Sequence, residues 1–311
     1  MYSKMIGIAV LALLTTSCSQ DEILENPASS KAITFTNLND RISSRAANDT
    51  GGDYGIYAYQ NGGDPAATAW FMDNQQVNGA NNNYSPLKYW PATGNLDFYA
   101  YAPYNSSGLD LSSVVWSAST PVLDVTYTVP ADAAEDFTIA APELGTSSGQ
   151  VQLLFSHMLS KLDFSAQLAD DLSNDGFLLT LNYVKLKVQS DKGKISLDKP
   201  ADGWSGLSNT ATYTGANNYM IMPQPALDTE ITLNVSITHN GADYLIGKDL
   251  KAYVLQAGDL ANFVKGTQYL FKVTIGDTTT DDNDNLVFNV ISFNAIQSPW
   301  ATGSGIEITN P

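Results

Sequence analysis

No long stretch of the chain repeats apolar residues every three or four positions; its apolar residues come instead in short alternating runs. The clearest is "LDFYAY", in which Leu96, Phe98 and Ala100 alternate with Asp97, Tyr99 and Tyr101. Successive side chains of a strand point to opposite faces, so a period of two predicts a strand. Here it predicts one buried face and one tyrosine face, with Pro91 and Gly94 punctuating the start. The pattern recurs in "KAITFTNL" (31–38), "DYGIYAYQ" (53–60), "PVLDVTYTVP" (121–130), "LLTLNYVKLKVQ" (178–189), "TEITLNVSITH" (229–239), "YLFKVTIG" (269–276) and "NLVFNVISFNAI" (285–296). With 16 Tyr, 23 Gly and 13 Pro punctuating and filling these runs, the chain reads as all-β, of the sandwich or barrel type. Its 311 residues suit about two domains. A fresh apolar segment, "VQLLFSHMLSKLDFSAQL", opens at 151 and places the expected boundary near 150.

The last alternating run changes phase. Leu286, Phe288 and Val290 share one face, and beyond Ser292 the apolar set moves to Ile291, Phe293 and Ala295. A flat strand cannot bury both sets on one side, so a bulge or a break is expected there. In "KAITFTNL", Ile33 and Phe35 share one face and Thr34 and Thr36 the other. "NGANNN" (78–83) reads as a solvated loop.

The formal net charge is -17 and the lysines are scattered. Nucleic acid and anionic membrane surfaces are poor partners for such a chain, because counterion release needs a clustered basic face. "GTSSG" (145–149) fits the pattern of a hydrolase nucleophile around Ser147, but the sequence offers a loop before it and a strand after it, so it reads as a turn. "DDNDN" (281–285) starts like a calcium loop, yet Leu286 stands at the glycine position and Ser292 at that of the bidentate glutamate; it reads as a hairpin turn. His157 and His239 lie far apart and form no cluster, which assigns them structural roles. No catalytic residue, metal or cofactor is expected, and the chain does not read as an enzyme.

The N-terminal region carries chemistry of another kind. "MYSKMIGIAVLALLTTSC" has a basic start at Lys4, an apolar run from Met5 to Leu14 and small residues ending at Cys18. That run is too short to span a bilayer as a helix and reads as a secretory signal. Cys18 is the only cysteine, so no internal disulfide can form. Its position resembles a lipobox, with Thr15 where leucine is usual and Leu14 one place earlier; the thiol is then an acylation site that holds the protein to a membrane. Residues 19–30 read as a polar tether. The chain's only two arginines, Arg41 and Arg45, lie four positions apart in "DRISSRA", just after the run that contains Ile33 and Phe35.

"SCSQDEI", "SSRA", "KYWPATGNLDFYAYAP", "EDFTIAAP", "VQLLFSHMLSKLDF" and "FNAIQSPWATGSGIEI", in that order, together resemble the Bacteroidetes fimbrillins, the type V pilin superfamily, in its fimbrillin-like lipoprotein branch. The resemblance implies two tandem transthyretin-like Greek-key β-sandwich domains after a lipoprotein signal peptide. It divides the chain into a signal (1–17), a tether with a removable first strand (18–45), an N-terminal domain (46–150) and a C-terminal domain (151–311) ending in a donor tail. It further implies export to the outer face of the outer membrane on the lipid at Cys18, and cleavage between Arg45 and Ala46 by an arginine-specific surface protease, with Arg41 the secondary position. Ile33, Phe35 and Leu38 would then leave with the displaced strand. Leu286, Phe288, Val290, Ile291, Phe293 and Ile296, with Ile306–Ile308, would be donated to another pilin subunit, building an adhesive fimbria. A subunit cut there contains no further arginine and escapes a second cut.

The rival reading is a surface glycan-binding lipoprotein or a tip adhesin that does not polymerise. Its platform would be the tyrosine face of Tyr99 and Tyr101 with Trp90, or Trp70 and Phe71 near the Asn-rich loop, because sugars stack on exposed rings. Shaft, tip and anchor roles are not separated by sequence, nor is any surface receptor identified.

Overall fold

The computed structural model describes residues 31–37, 52–62, 69–117, 120–250, 252–256, 258–280, 286–300 and 306–308. Strands dominate, as the alternating runs predict. The first are β1 (Thr34–Asn37), β2 (Tyr54–Asn61), β3 (Met72–Val77), β4 (Asn95–Ala102), β5 (Leu109–Asp110), β6 (Val114–Ser117) and β7 (Thr120–Thr128). There follow β8 (Thr138–Ala140), β9 (Glu143–Thr146), β10 (Gln150–Leu153), β11 (Phe155–His157), β12 (Ser160–Leu168), β13 (Phe177–Val188), β14 (Lys192–Ser196) and β15 (Ser205–Ser208). The last are β16 (Ala211–Ala216), β17 (Asn218–Ile221), β18 (Glu230–His239), β19 (Ala242–Asp249), β20 (Tyr253–Val254), β21 (Thr267–Thr280), β22 (Leu286–Pro299) and β23 (Ile306–Ile308). One short helix, Asp170–Asn174, links β12 to β13.

In the second half, one sheet runs β17-β12-β21-β22-β23 and another β16-β13-β18-β19, with β20 on β18. Ring contacts join the two faces: Phe177 meets Phe288 at 5.9 Å, and Tyr253 stacks on Phe293 at 4.3 Å. Leu162, Val184, Leu233, Val235, Tyr269 and Phe271 fill the space between them as a buried sandwich core.

The first half is organised around the sheet β11-β8-β4-β2-β3, with β9 also on β4. β4 is covered on both faces. Leu96, Phe98 and Ala100 pack with Ile33, Phe35, Trp90 and Val151 in one cluster. Tyr99 and Tyr101 belong to the other, with Leu123, Val125 and Tyr127 of β7. β7 pairs not only with β5 and β6 but with β14, whose neighbour is β15. Strand pairing thus crosses residue 150: β10 pairs β1, β11 pairs β8, and the β14–β15 hairpin extends the β7 sheet.

The phase change in β22 is a bulge. Val290 pairs Ile275 and Ser292 pairs Thr274, which leaves Ile291 as the extra residue. Phe288, Phe293 and Ala295 are all buried as a result, because one additional residue restores their common face. Ile291 itself is not in the buried set that the sequence suggested; it is 50% exposed and lies over Gly276, where a Cβ would meet its Cδ1 at 2.7 Å. The Asn-rich stretch is an ordered turn rather than a merely solvated loop. The Asn78 side chain accepts from the backbone of Ala80 and Asn81, and the Tyr54 hydroxyl donates to Asn82 Oδ1 at 2.8 Å.

Candidate functional site

Alternation in "KAITFTNL" puts Ile33 and Phe35 inward, and both are essentially fully buried while Thr34 is exposed. β1 runs parallel to β10, with Phe35 opposite Val151 and Asn37 opposite Leu153. On its other side the chain at 31–33 meets residues 88–90: Ala32 bridges Tyr89, Ile33 N donates to Lys88 O at 2.9 Å, and Trp90 N donates to Lys31 O at 3.2 Å. The slot that holds the segment is therefore made by residues 88–90 over its N-terminal part, 31–33, and by β10 from Thr34 to Asn37. Side chains complete the hold. The Tyr84 hydroxyl donates to Ile33 O at 2.9 Å and Gln150 Nε2 to Phe35 O at 3.2 Å. The Phe35 ring lies 5.4 Å from Tyr84 and 5.9 Å, edge-on, from Phe98.

β10 has β1 as its only strand partner among the described residues. Withdrawal of β1 leaves β10 with unpaired amides and carbonyls, and leaves Phe98, Trp90 and Val151 without the side chains that cover them. Such an edge above an apolar groove is a template for another strand. Cys18, Leu38, Arg41, Arg45 and Ala46 lie outside the described residues.

At the other end, β22 is paired along its length with β21, and β23 folds back antiparallel on β22, Ala295 opposite Ile308 and Gln297 opposite Ile306. Phe288 and Phe293 are buried in the chain's own core, Val290 and Ile296 are half-buried, and Leu286 begins the strand.

The structure overturns the first glycan platform. Tyr99, Tyr101 and Trp90 are at most 6% exposed, and the Tyr101 hydroxyl donates inward to Asn74 at 2.7 Å. The tyrosine face expected to be open is covered, and burial pushes the Tyr99 and Tyr101 hydroxyls far above their ordinary titration range. Trp70 is half-buried and packs on Tyr57 at 5.1 Å and Trp116 at 5.6 Å, so its ring too is engaged within the chain. Phe71 is half-buried beside Lys88.

Ser147 lies between β9 and β10, so a strand and not a helix follows it, as a turn requires. Residues 281–285 lie outside the described residues; the strands on either side, β21 and β22, pair antiparallel. His239 stacks on Phe177 at 4.1 Å, and His157 Nδ1 donates to Asp136 Oδ2 at 2.6 Å. Sequence reasoning missed Tyr84, Lys88 and Gln150 as the parts of the slot that grip β1. Each is distant in sequence from residues 33–35, and nothing local marks it.

No curated protein matches the chain. Among solved structures, it is similar to a protein from Bacteroides uniformis provisionally assigned to cell adhesion, at 17% identity and a TM-score of 0.54, over 88% of this chain and 99% of that one. It is similar also to a fimbrial protein from Bacteroides vulgatus, at 17% identity and a TM-score of 0.52, over 86% and 99% of the two chains. At these identities the likeness shows the fold, a β-sandwich architecture shared over nearly the whole of both chains. The fimbrillin-like family model matches residues 41–290. That family points to a structural protein at the cell surface rather than an enzyme. On this match the chain belongs to the fimbrillin-like family.

Proposed function

We propose that the protein is a fimbrial subunit, exported as a surface lipoprotein on Cys18, cut after Arg45 and assembled by strand donation. The observation that carries this reading is the position of β1. The segment 31–37 that ends in it is held by residues 88–90 along 31–33 and by β10 along Thr34–Asn37, supplies Ile33 and Phe35 to the core, and precedes the chain's only arginines. A cut at Arg45 turns a covalent strand into a bound peptide, and a bound peptide can be exchanged for a strand of a second subunit. Backbone hydrogen bonds then supply affinity, and side chains at alternate positions supply register.

Of the residues expected to be donated, Ile306–Ile308 is the segment we assign to the slot. Its release costs the subunit a three-residue edge strand, whereas drawing out β22 would empty the core of Phe288 and Phe293. "IEI" also repeats the spacing of "ITF" at Ile33–Phe35, two apolar residues flanking a polar one. The partners of this reading are neighbouring subunits, an arginine-specific surface protease and the lipid bilayer before processing.

The experiment treats the full chain with an arginine-specific protease, determines the new N-terminus by mass spectrometry, and looks for ladders on gels run without boiling. An Ala46 start with ladders, lost when the chain ends at Trp300, is the expected result. Cut chains that stay monomeric at high concentration overturn strand donation.

A further inference from the structure

Asp136, His157 and Trp300 come from three distant parts of the sequence and meet at the junction of the two halves. His157 closes β11 and faces Thr138 of β8, two residues beyond Asp136. Its Nδ1 donates to Asp136 Oδ2 at 2.6 Å, which fixes the imidazole plane. Trp300, one residue past the end of β22, lies face to face with that ring at 3.9 Å and 7°. A backbone relay runs beside the stack: Trp300 N donates to Gly266 O at 3.0 Å, and Gly266 N to Leu159 O at 2.8 Å. The Asp136 side chain is 6% exposed, and its second oxygen, Oδ1, has no hydrogen-bond partner among the described residues. A buried carboxylate with one free oxygen depends on the contact that it does make, so His157 is held in place as firmly as it holds.

We propose that Asp136 and His157 are positioning residues that clamp Trp300, and through it the β22–β23 hairpin, to the first-half sheet. β23 is a three-residue strand whose pairing partner is β22, at Ala295–Gln297. So short an edge strand frays readily by itself. Fixing Trp300 three residues beyond Gln297 lowers the entropy that β23 must lose to stay paired. Under the strand-donation reading above, on which this role rests, the clamp keeps the tail on its own sheet until a recipient slot takes it.

The test is amide hydrogen exchange by mass spectrometry on the uncut full-length monomer, comparing wild type with His157→Ala and Trp300→Ala. Loss of a ring stack of this kind is expected to speed exchange at 294–299 and 306–308 by about threefold to tenfold. Strands β13 and β18 should exchange as before. Trp300 is half-buried, so Trp300→Ala keeps the fold even where His157→Ala exposes Asp136 to unpaired burial. His157→Phe, which retains a ring over Trp300, should protect the hairpin better than His157→Ala. Exchange unchanged in Trp300→Ala, or raised evenly over both halves, overturns the clamp. After arginine-specific cutting, a wild type that never forms ladders sinks strand donation, while the exchange data still decide the clamp.

Discussion

In the proposed strand donation, the hold on β1 is the step on which assembly would turn, and truncating Phe35 tests it. The Phe35 side chain is 2% exposed and meets Tyr84 and Phe98 ring to ring. Phe→Ala in a close-packed core costs about 3–5 kcal/mol, part lost transfer energy and part cavity. In the intact chain that cost is spread over the folding of the first half. Once the chain is cut after Arg45 it falls on the bound peptide instead, which should be held about two to four orders of magnitude less tightly. Most of that change should appear as faster dissociation. The assay cuts the full-length chain with an arginine-specific protease, separates bound from free peptide by gel filtration, and follows the fragment containing residues 31–37 by mass spectrometry. Thr34→Ala, at an exposed position of the same strand, is the control and should release its peptide at the wild-type rate. If Phe35→Ala retains its peptide as long as wild type does, side-chain burial is not what holds β1, and the slot cannot discriminate a donor by its apolar pair.

Tyr84→Phe removes the hydroxyl that donates to Ile33 O but keeps the ring beside Phe35; it should weaken retention by about 1 kcal/mol, several-fold in the same release assay. Deleting Ile291 should leave the fold intact with a melting temperature lowered by a few degrees, because the pairs Val290–Ile275 and Ser292–Thr274 become consecutive and Phe288 and Phe293 keep one face. Deleting Asn294 instead sends Ala295 and everything after it to the opposite face, and thermal melts should show loss of cooperative unfolding. Asp249 links the edge strand β19 to β18 and β13: it accepts from Asn234 Nδ2 at 2.7 Å and pairs with Lys185. These contacts, Asn234 first, hold its carboxyl below the usual carboxylate range. Its contribution to stability is therefore present above the unfolded carboxylate value of about 3.9 and is lost as pH falls through the lower folded value. The pair is well exposed, so the effect is small; urea midpoints of wild type and Asp249→Asn should differ at pH 7 and converge as pH drops below 4.

Much of the local structure was legible in the sequence. The period of two placed the strands, put Ile33 and Phe35 on one face, made "GTSSG" a turn, and demanded an irregularity between Val290 and Ser292, since side-chain direction along a strand is decided by sequence spacing alone. Family membership was likewise carried by ordered motifs. What alternation cannot say is which faces are covered. Tyr99 and Tyr101 point away from Phe98 as expected, yet a second layer containing β7 buries them and removes the glycan platform. Nor does a local pattern name a partner. β1 lies beside β10, more than a hundred residues away, β7 beside β14, and His157 between Asp136 and Trp300. Strand edges present the same backbone groups whatever their sequence, so pairing is decided by how the layers pack and by which apolar faces must be closed. The sequence alone determined which residues of this protein turn inward; the tertiary structure decided what they meet.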